Sequence, residues 1–323
     1  MVIANHAHPF RELSWSLNEG VNQAASFAVP FFFIVAGYLF ASRPLGLGAP
    51  GRWARYMRRL LLVFVSWSTV YLLLPLSLTA AQVEELGPWG AYRHYLEGRY
   101  DWIMSNRYEF LTQGTSFHLW FLVSLAMAVT LVYVFDRLGI ANKVFLVAIP
   151  MYLFTIVTRY YVLTPVGIEV GFNTRNGPFV STLYVALGAA LARSSWRPSP
   201  RLAWATLGAG LAAQLAEAFF IIEKYGQPSP GPYYIFSTVP FALGFMFVAL
   251  ARPGLGEGTV VARWGLYTLG VYAAHMVMVT LLGRMLPLPP AVSEILVAPL
   301  AFLTSLGLAV ILARNRFSRR IVI

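Results

Sequence analysis

The sequence predicts an all-α polytopic membrane protein, a transmembrane bundle of about ten helices. Three observations carry that prediction. Hydrophobic residues fill 58% of the 323 positions and charged residues only 11%, with a mean hydropathy of +0.63, whereas soluble domains are roughly a quarter charged. The apolar residues fall in runs of about 20, the length that crosses a hydrocarbon core. The basic residues sit between the runs, so the formal charge of +11 reads as membrane topology and not as a nucleic-acid surface.

In chain order, residues 1–10 (M-V-I-A-N-H-A-H-P-F) read as the last turns of a helix that enters a polar connector without spanning anything. The first helix is therefore expected to be truncated, and a start upstream of Met1 is favoured over a short first element. A connector with Arg11, Glu12 and Glu19 follows, then apolar spans at about 23–42, 56–79, 118–137, 143–163, 178–193, 202–223, 233–251, 263–284 and 291–313. Pro30, Gly37 and Pro75 allow bends, which a membrane tolerates only where protein or a water-filled cavity receives the freed backbone groups. The longest loop, 80–117, carries W-G-A-Y-R-H-Y-L-E-G-R-Y-D-W, and its aromatic and mixed-charge content suits a segment lying on the outer face, with a lid or sugar platform as the other reading. The small-residue series at 186–192 and 208–213 suit close helix packing. No internal repeat or separate soluble domain is visible, so 1–323 reads as a single membrane domain. With no cysteine, disulfides and thiolate metal sites are excluded, and no metal site is expected.

Assigning alternate loops to alternate sides separates the charges. Arg43, Arg52, Arg55, Arg58, Arg59, Arg137, Lys143, Arg193, Arg197, Arg201, Arg252, Arg263 and the tail arginines Arg314, Arg316, Arg319 and Arg320 share one side with only Asp136 and Glu257. That holds 16 of the 24 Lys and Arg and 2 of the 13 acids. This side is therefore expected to be cytoplasmic, with 314–323 as a basic cytoplasmic tail.

Few residues offer chemistry. His6, His118 and His275 lie at segment edges, and histidine is the side chain that gains and loses a proton near neutral pH, although such edges more often use it for hydrogen bonding. Arg52, Arg55, Arg58 and Arg59 follow i, i+3, i+6 and i+7, which puts at least three guanidinium forks on one helix face, suited to phosphate or to lipid headgroups. Gln214 and Glu217, three apart within a span, are either functional or bond neighbouring helices. Arg159, Glu169, Arg175 and Asn176 precede a helix that Pro178 starts, leaving free N–H groups towards that loop.

Segments of the chain also resemble a known family. V-P-F-F-F-I-V-A-G-Y-L-F is similar to the aromatic segment of the membrane acyltransferase 3 family, and V-I-A-N-H-A-H-P-F looks like the end of its first helix, with the family's histidine at His6. R-Y-M-R-R-L resembles its R-x-x-R element, best matched by Arg55 and Arg58, and H-L-W-F-L, T-R-N-G-P-F and L-G-V-Y-A-A-H follow in the family's order. Ala36 replaces a usual serine, a change expected to affect packing, and the family's arginine about eleven residues before the histidine has no counterpart here.

The resemblance implies a ten-helix enzyme of the bacterial inner membrane that moves an acyl group, usually acetyl, from cytoplasmic acyl-CoA to a hydroxyl of a glycan or lipid-linked sugar. His6 would be the catalytic base and Arg55 and Arg58 would contact acyl-CoA. His118, Arg175, Asn176 and His275 would orient the acceptor or the base. A transporter or flippase of a glycan or lipid precursor, and an inactive truncated family member, are the alternative readings. His6 and the arginine patch are expected at opposite faces of a core about 30 Å thick, which leaves open how one reaction reaches both.

Overall fold

Hydrocarbon offers no partner to a backbone N–H or C=O, so apolar segments satisfy their polar backbone internally as helices. The computed structural model describes residues 2–7, 10, 14–42, 50–228, 231–286 and 289–322, and every regular element among them is helical. Met1, Arg11, Glu12 and Arg43, which figured in the sequence reading, lie outside the described residues.

The chain opens with α1 (Val2–Ala7), α2 (Trp15–Ala25) and α3 (Ala28–Ala41). α2 and α3 form one apolar unit of 27 residues, Trp15–Ala41, interrupted at Ser26, whose Oγ donates to the Gln23 carbonyl at 2.7 Å. This span starts eight residues earlier than hydropathy suggested. Asn18, Glu19 and Asn22, which read as connector, and Gln23, the first residue of the expected span, are all buried. Hydrogen bonds make that burial tolerable for Glu19 and Gln23: Gln23 donates to Glu19 at 2.7 Å, Gln214 donates to Gln23 at 2.7 Å and Gln227 donates to Glu19 at 3.2 Å, whereas the Asn18 and Asn22 side-chain oxygens have no partner.

Next come α4 (Pro50–Leu73), α5 (Ala80–Ser105) and α6 (Arg107–Gln113). Pro75 lies beyond the end of α4, where it stops the helix and does not bend it. The 80–117 loop is thus largely helical. A capping box between Thr79 and Gln82 starts α5, Gly87 at φ +70° kinks it ahead of Pro88, and the Tyr95 hydroxyl ties it to the Leu74 carbonyl at 2.9 Å. Ala91 is the one buried residue of α5, in keeping with a surface segment.

The rest of the chain forms α7 (Trp120–Arg137), α8 (Phe145–Thr155), α9 (Pro178–Arg193), α10 (Pro200–Tyr225), α11 (Thr238–Ala251), α12 (Val260–Trp264), α13 (Thr268–Met285) and α14 (Pro290–Arg314). Six helical units among the described residues are long and apolar enough to cross a membrane, fewer than the ten expected. The expected spans at 178–193 and 233–251 are helices of 16 and 14 residues, short of the roughly 20 that a crossing needs.

Close backbone approach holds the centre together. A Cβ on Gly188 would lie 1.9 Å from the Ile34 carbonyl oxygen, and one on Gly37 would lie 2.1 Å from that of Val185. Only glycines let α3 and α9 cross this closely. Gln214 and Glu217 bond neighbouring segments: Gln214 accepts from Thr238 Oγ1 at 2.8 Å, and Glu217 accepts the Ser237 N–H at 2.8 Å and the Tyr161 hydroxyl. Beyond α14 the chain folds back. The Ile321 carbonyl accepts from Trp67 Nε1 at 3.0 Å and Val322 is buried, while Arg314, Arg316, Arg319 and Arg320 stay exposed.

Candidate active site

Two cavities define the region of interest. The larger, about 860 Å³, runs between α3, α4, α7 and the α12–α13 segment. Val29, Phe32, Ala36 and Phe40 line it from α3, at helical spacing along one face. Its basic wall is α4, which presents Arg52, Arg55 and Arg59 to it. Trp53 fixes that rotation of α4 by donating to Thr130 Oγ1 at 3.0 Å and stacking on Tyr133 with ring centroids 5.6 Å apart. Arg52 is buried and donates to the Phe40 carbonyl at 3.3 Å. The arginines thus mark the Phe40 end of the cavity.

The smaller cavity, about 250 Å³, is lined by Asn5 and His6 of α1, by Phe117, His118 and Trp120 at the start of α7, and by Arg175, Tyr233 and Tyr234. Val29 and Tyr272 line both cavities. Eleven residues separate Val29 from Phe40, so the large cavity spans about 16 Å along α3 at 1.5 Å per residue.

Three imidazoles meet beside the small cavity. The His6 ring stacks on His275 with centroids 5.3 Å apart and meets Phe117 edge-on at 5.2 Å. His118 packs T-shaped on His275 at 4.9 Å. Their tautomers follow from their partners, because a carbonyl oxygen can only accept. His118 Nε2 donates to the Ala273 carbonyl at 3.3 Å, so its Nδ1 accepts from Ser116 Oγ at 2.9 Å. His275 Nδ1 donates to the Tyr272 carbonyl, which leaves Nε2 as a buried lone pair with no hydrogen-bond partner. The Tyr272 hydroxyl in turn donates to the His118 carbonyl. No group of three or more His, Cys, Asp or Glu among the described residues is placed to hold a metal ion.

Arg175 brings positive charge to the same cavity. Its guanidinium lies over the Trp120 ring, 5.0 Å from the centroid, its Nε has no hydrogen-bond partner, and no carboxylate pairs with it among the described residues. Loss of solvent pulls its pKa below the usual arginine value. Such a cation is stabilised by an anion or by a carbonyl oxygen gaining charge.

An acyltransferase-domain family model matches residues 1–314. The chain belongs to the acyltransferase 3 family. No curated protein matches it, and no solved structure does.

Within this family member, His6, His118, Arg175 and His275, spread over 270 residues of sequence, converge on one place. Asn176 does not join them. It is buried and donates to Thr112 Oγ1 and Gln113 Oε1, both at 3.1 Å, tying its loop to α6. Arg55 lines the large cavity, whereas Arg58 is exposed and lines neither. Ala36 both lines the large cavity and packs against the buried core. Sequence reasoning missed Asn5, Val29 and Tyr272. Asn5 adjoins His6, and Tyr272 sits three residues before His275 on one helix face, a spacing that could have flagged it.

Proposed function

We propose that this acyltransferase is a membrane-bound O-acyltransferase that moves an acyl group, acetyl in the simplest case, from cytoplasmic acyl-CoA to a hydroxyl of a cell-surface or lipid-linked glycan. The observation that carries this reading is that Val29 and Tyr272 line both cavities, the one with the arginine wall and the one at the His6 cluster; the boundary they share is read as the junction of the two. It also offers an answer to the distance problem, because the donor is read as entering through the large cavity and meeting the acceptor beyond the junction.

In this mechanism Arg52, Arg55 and Arg59 hold the CoA phosphates through charge-assisted hydrogen bonds. The pantetheine arm lies along the α3 wall and presents the thioester at Val29 and Tyr272. His6 takes the proton from the acceptor hydroxyl as its oxygen attacks the thioester carbonyl carbon. Arg175 stabilises the oxyanion that forms, a kind of contribution commonly worth on the order of 3 kcal/mol. Collapse breaks the carbon–sulfur bond, and His6 returns the proton to the departing CoA sulfur. His275 positions His6 through ring contact, and His118 acts through His275. The basic loops face the cytoplasm of a bacterial cell, where acyl-CoA is made, and the His6 end faces the outside.

The test compares cells carrying the wild-type chain or His6→Ala at matched membrane abundance, with mass spectrometry of surface glycans and CoA release measured on purified protein. An acyl mass increment and CoA release that both vanish in His6→Ala support the reading. Release that survives the substitution removes His6 from catalysis, and a wild type that releases no CoA from any donor removes the acyltransferase mechanism.

A further inference from the structure

The sizes of the two cavities differ in a way that bears on which acyl group is transferred. The outer one, about 860 Å³, lies within the roughly 300–1,000 Å³ range of sites that enclose whole ligands, and the inner one, about 250 Å³, lies below it. The inner cavity nevertheless has to receive both the acyl end of the donor and the hydroxyl of the acceptor. On one side its walls leave little slack: Trp120 is buried and carries Arg175 on its face, and Tyr234 is buried against Trp120, while on the other Phe117 meets His6 edge-on and is itself exposed.

The junction is equally constrained. The Tyr272 ring is held by its hydroxyl, which donates to the His118 carbonyl, and by Phe121, which packs on it with centroids 5.1 Å apart, while the Tyr272 backbone carbonyl accepts from His275. Val29, opposite, is a β-branched residue within α3, where its side chain has one strongly preferred rotamer. Neither wall can swing aside without disturbing the histidine cluster or the helix.

Resting on the acyl-CoA reading above, we infer that the inner cavity is an acyl-size filter. Val29 and Tyr272 are its specificity-determining walls, and it admits an acyl group of two or three carbons while excluding longer chains. The thioester sits at the junction, CoA remains in the outer cavity, and only the acyl carbons reach past Tyr272 to His6. A longer chain would occupy the volume that the acceptor hydroxyl needs.

The experiment measures thiol release by the purified wild-type protein, with acceptor glycan present, from acetyl-, butyryl- and octanoyl-CoA. The protein has no cysteine, so every thiol detected is CoA. The wild type is expected to favour acetyl- over butyryl-CoA by about tenfold or more in kcat/KM, since each misfitting methylene in a pocket discriminates by roughly 10- to 200-fold. Val29→Ala, which widens the junction, should raise the butyryl-to-acetyl ratio several-fold, and Val29→Phe, which narrows it, should lower that ratio. Octanoyl-CoA used as well as acetyl-CoA, or Val29 variants that change all donors in proportion, would overturn the filter while leaving the acyltransferase reading intact. Absence of release from every donor by folded wild-type protein would overturn both.

Discussion

The arginine helix offers a test in which one residue serves as control for its neighbours. Arg55 and Arg59 line the large cavity from α4, whereas Arg58, one residue from Arg59 and equally charged, lines neither cavity. A guanidinium bonded to phosphate contributes about 1.5–3 kcal/mol. Both Arg55 and Arg59 are exposed, so screening by water reduces this to roughly 1–2 kcal/mol each. At 1.4 kcal/mol per factor of ten, Arg55→Ala or Arg59→Ala should raise KM for acyl-CoA about 5- to 30-fold, and Arg58→Ala less than about twofold. Steady-state kinetics of CoA release against acyl-CoA concentration, at fixed acceptor and 0.15 M salt, separates the two. Equal KM increases for Arg58→Ala and Arg55→Ala would refute directional phosphate capture and leave the cluster as a membrane-surface anchor. The sequence resemblance alone pairs Arg55 with Arg58, so the experiment also decides between motif spacing and cavity geometry.

Two further predictions address the catalytic end and the scaffold. His275→Gln removes the ring that stacks on His6 and should lower kcat at least about tenfold with KM for acyl-CoA unchanged, the signature of an interaction made in the transition state and not in binding; a KM change alone would place His275 in donor binding. Gly188→Ala sets a methyl 1.9 Å from the Ile34 carbonyl oxygen, so α3 and α9 must separate at a cost of about 1–3 kcal/mol. An apparent Tm in detergent lowered by several degrees is expected, and an unchanged Tm would mean that the crossing is looser than the structure has it.

Much of this protein was legible in its sequence because its solvent is simple. Hydrocarbon forces apolar runs to become helices, so Phe117–Arg137, Pro200–Tyr225 and Val292–Arg314 fall close to where hydropathy puts them. The same reasoning failed for Asn18, Glu19 and Asn22, since hydropathy counts polar side chains as water-seeking and cannot see a partner such as Gln227, which reaches Glu19 from about 200 residues away. His6, His118, Arg175 and His275 could be nominated one at a time by residue chemistry and motif. That they face one another across a small cavity depends on how α1, α7 and α13 pack, which no local pattern encodes. The arginine spacing put at least three guanidiniums on one face, but which three face the cavity was settled by the rotation of α4 about its axis, held by Trp53 against Thr130 and Tyr133. The sequence by itself determined a helical membrane protein of the acyltransferase 3 family. Only the tertiary structure decided that a tyrosine and a valine line both cavities, because a cavity is a property of the gaps between helices and not of any one of them.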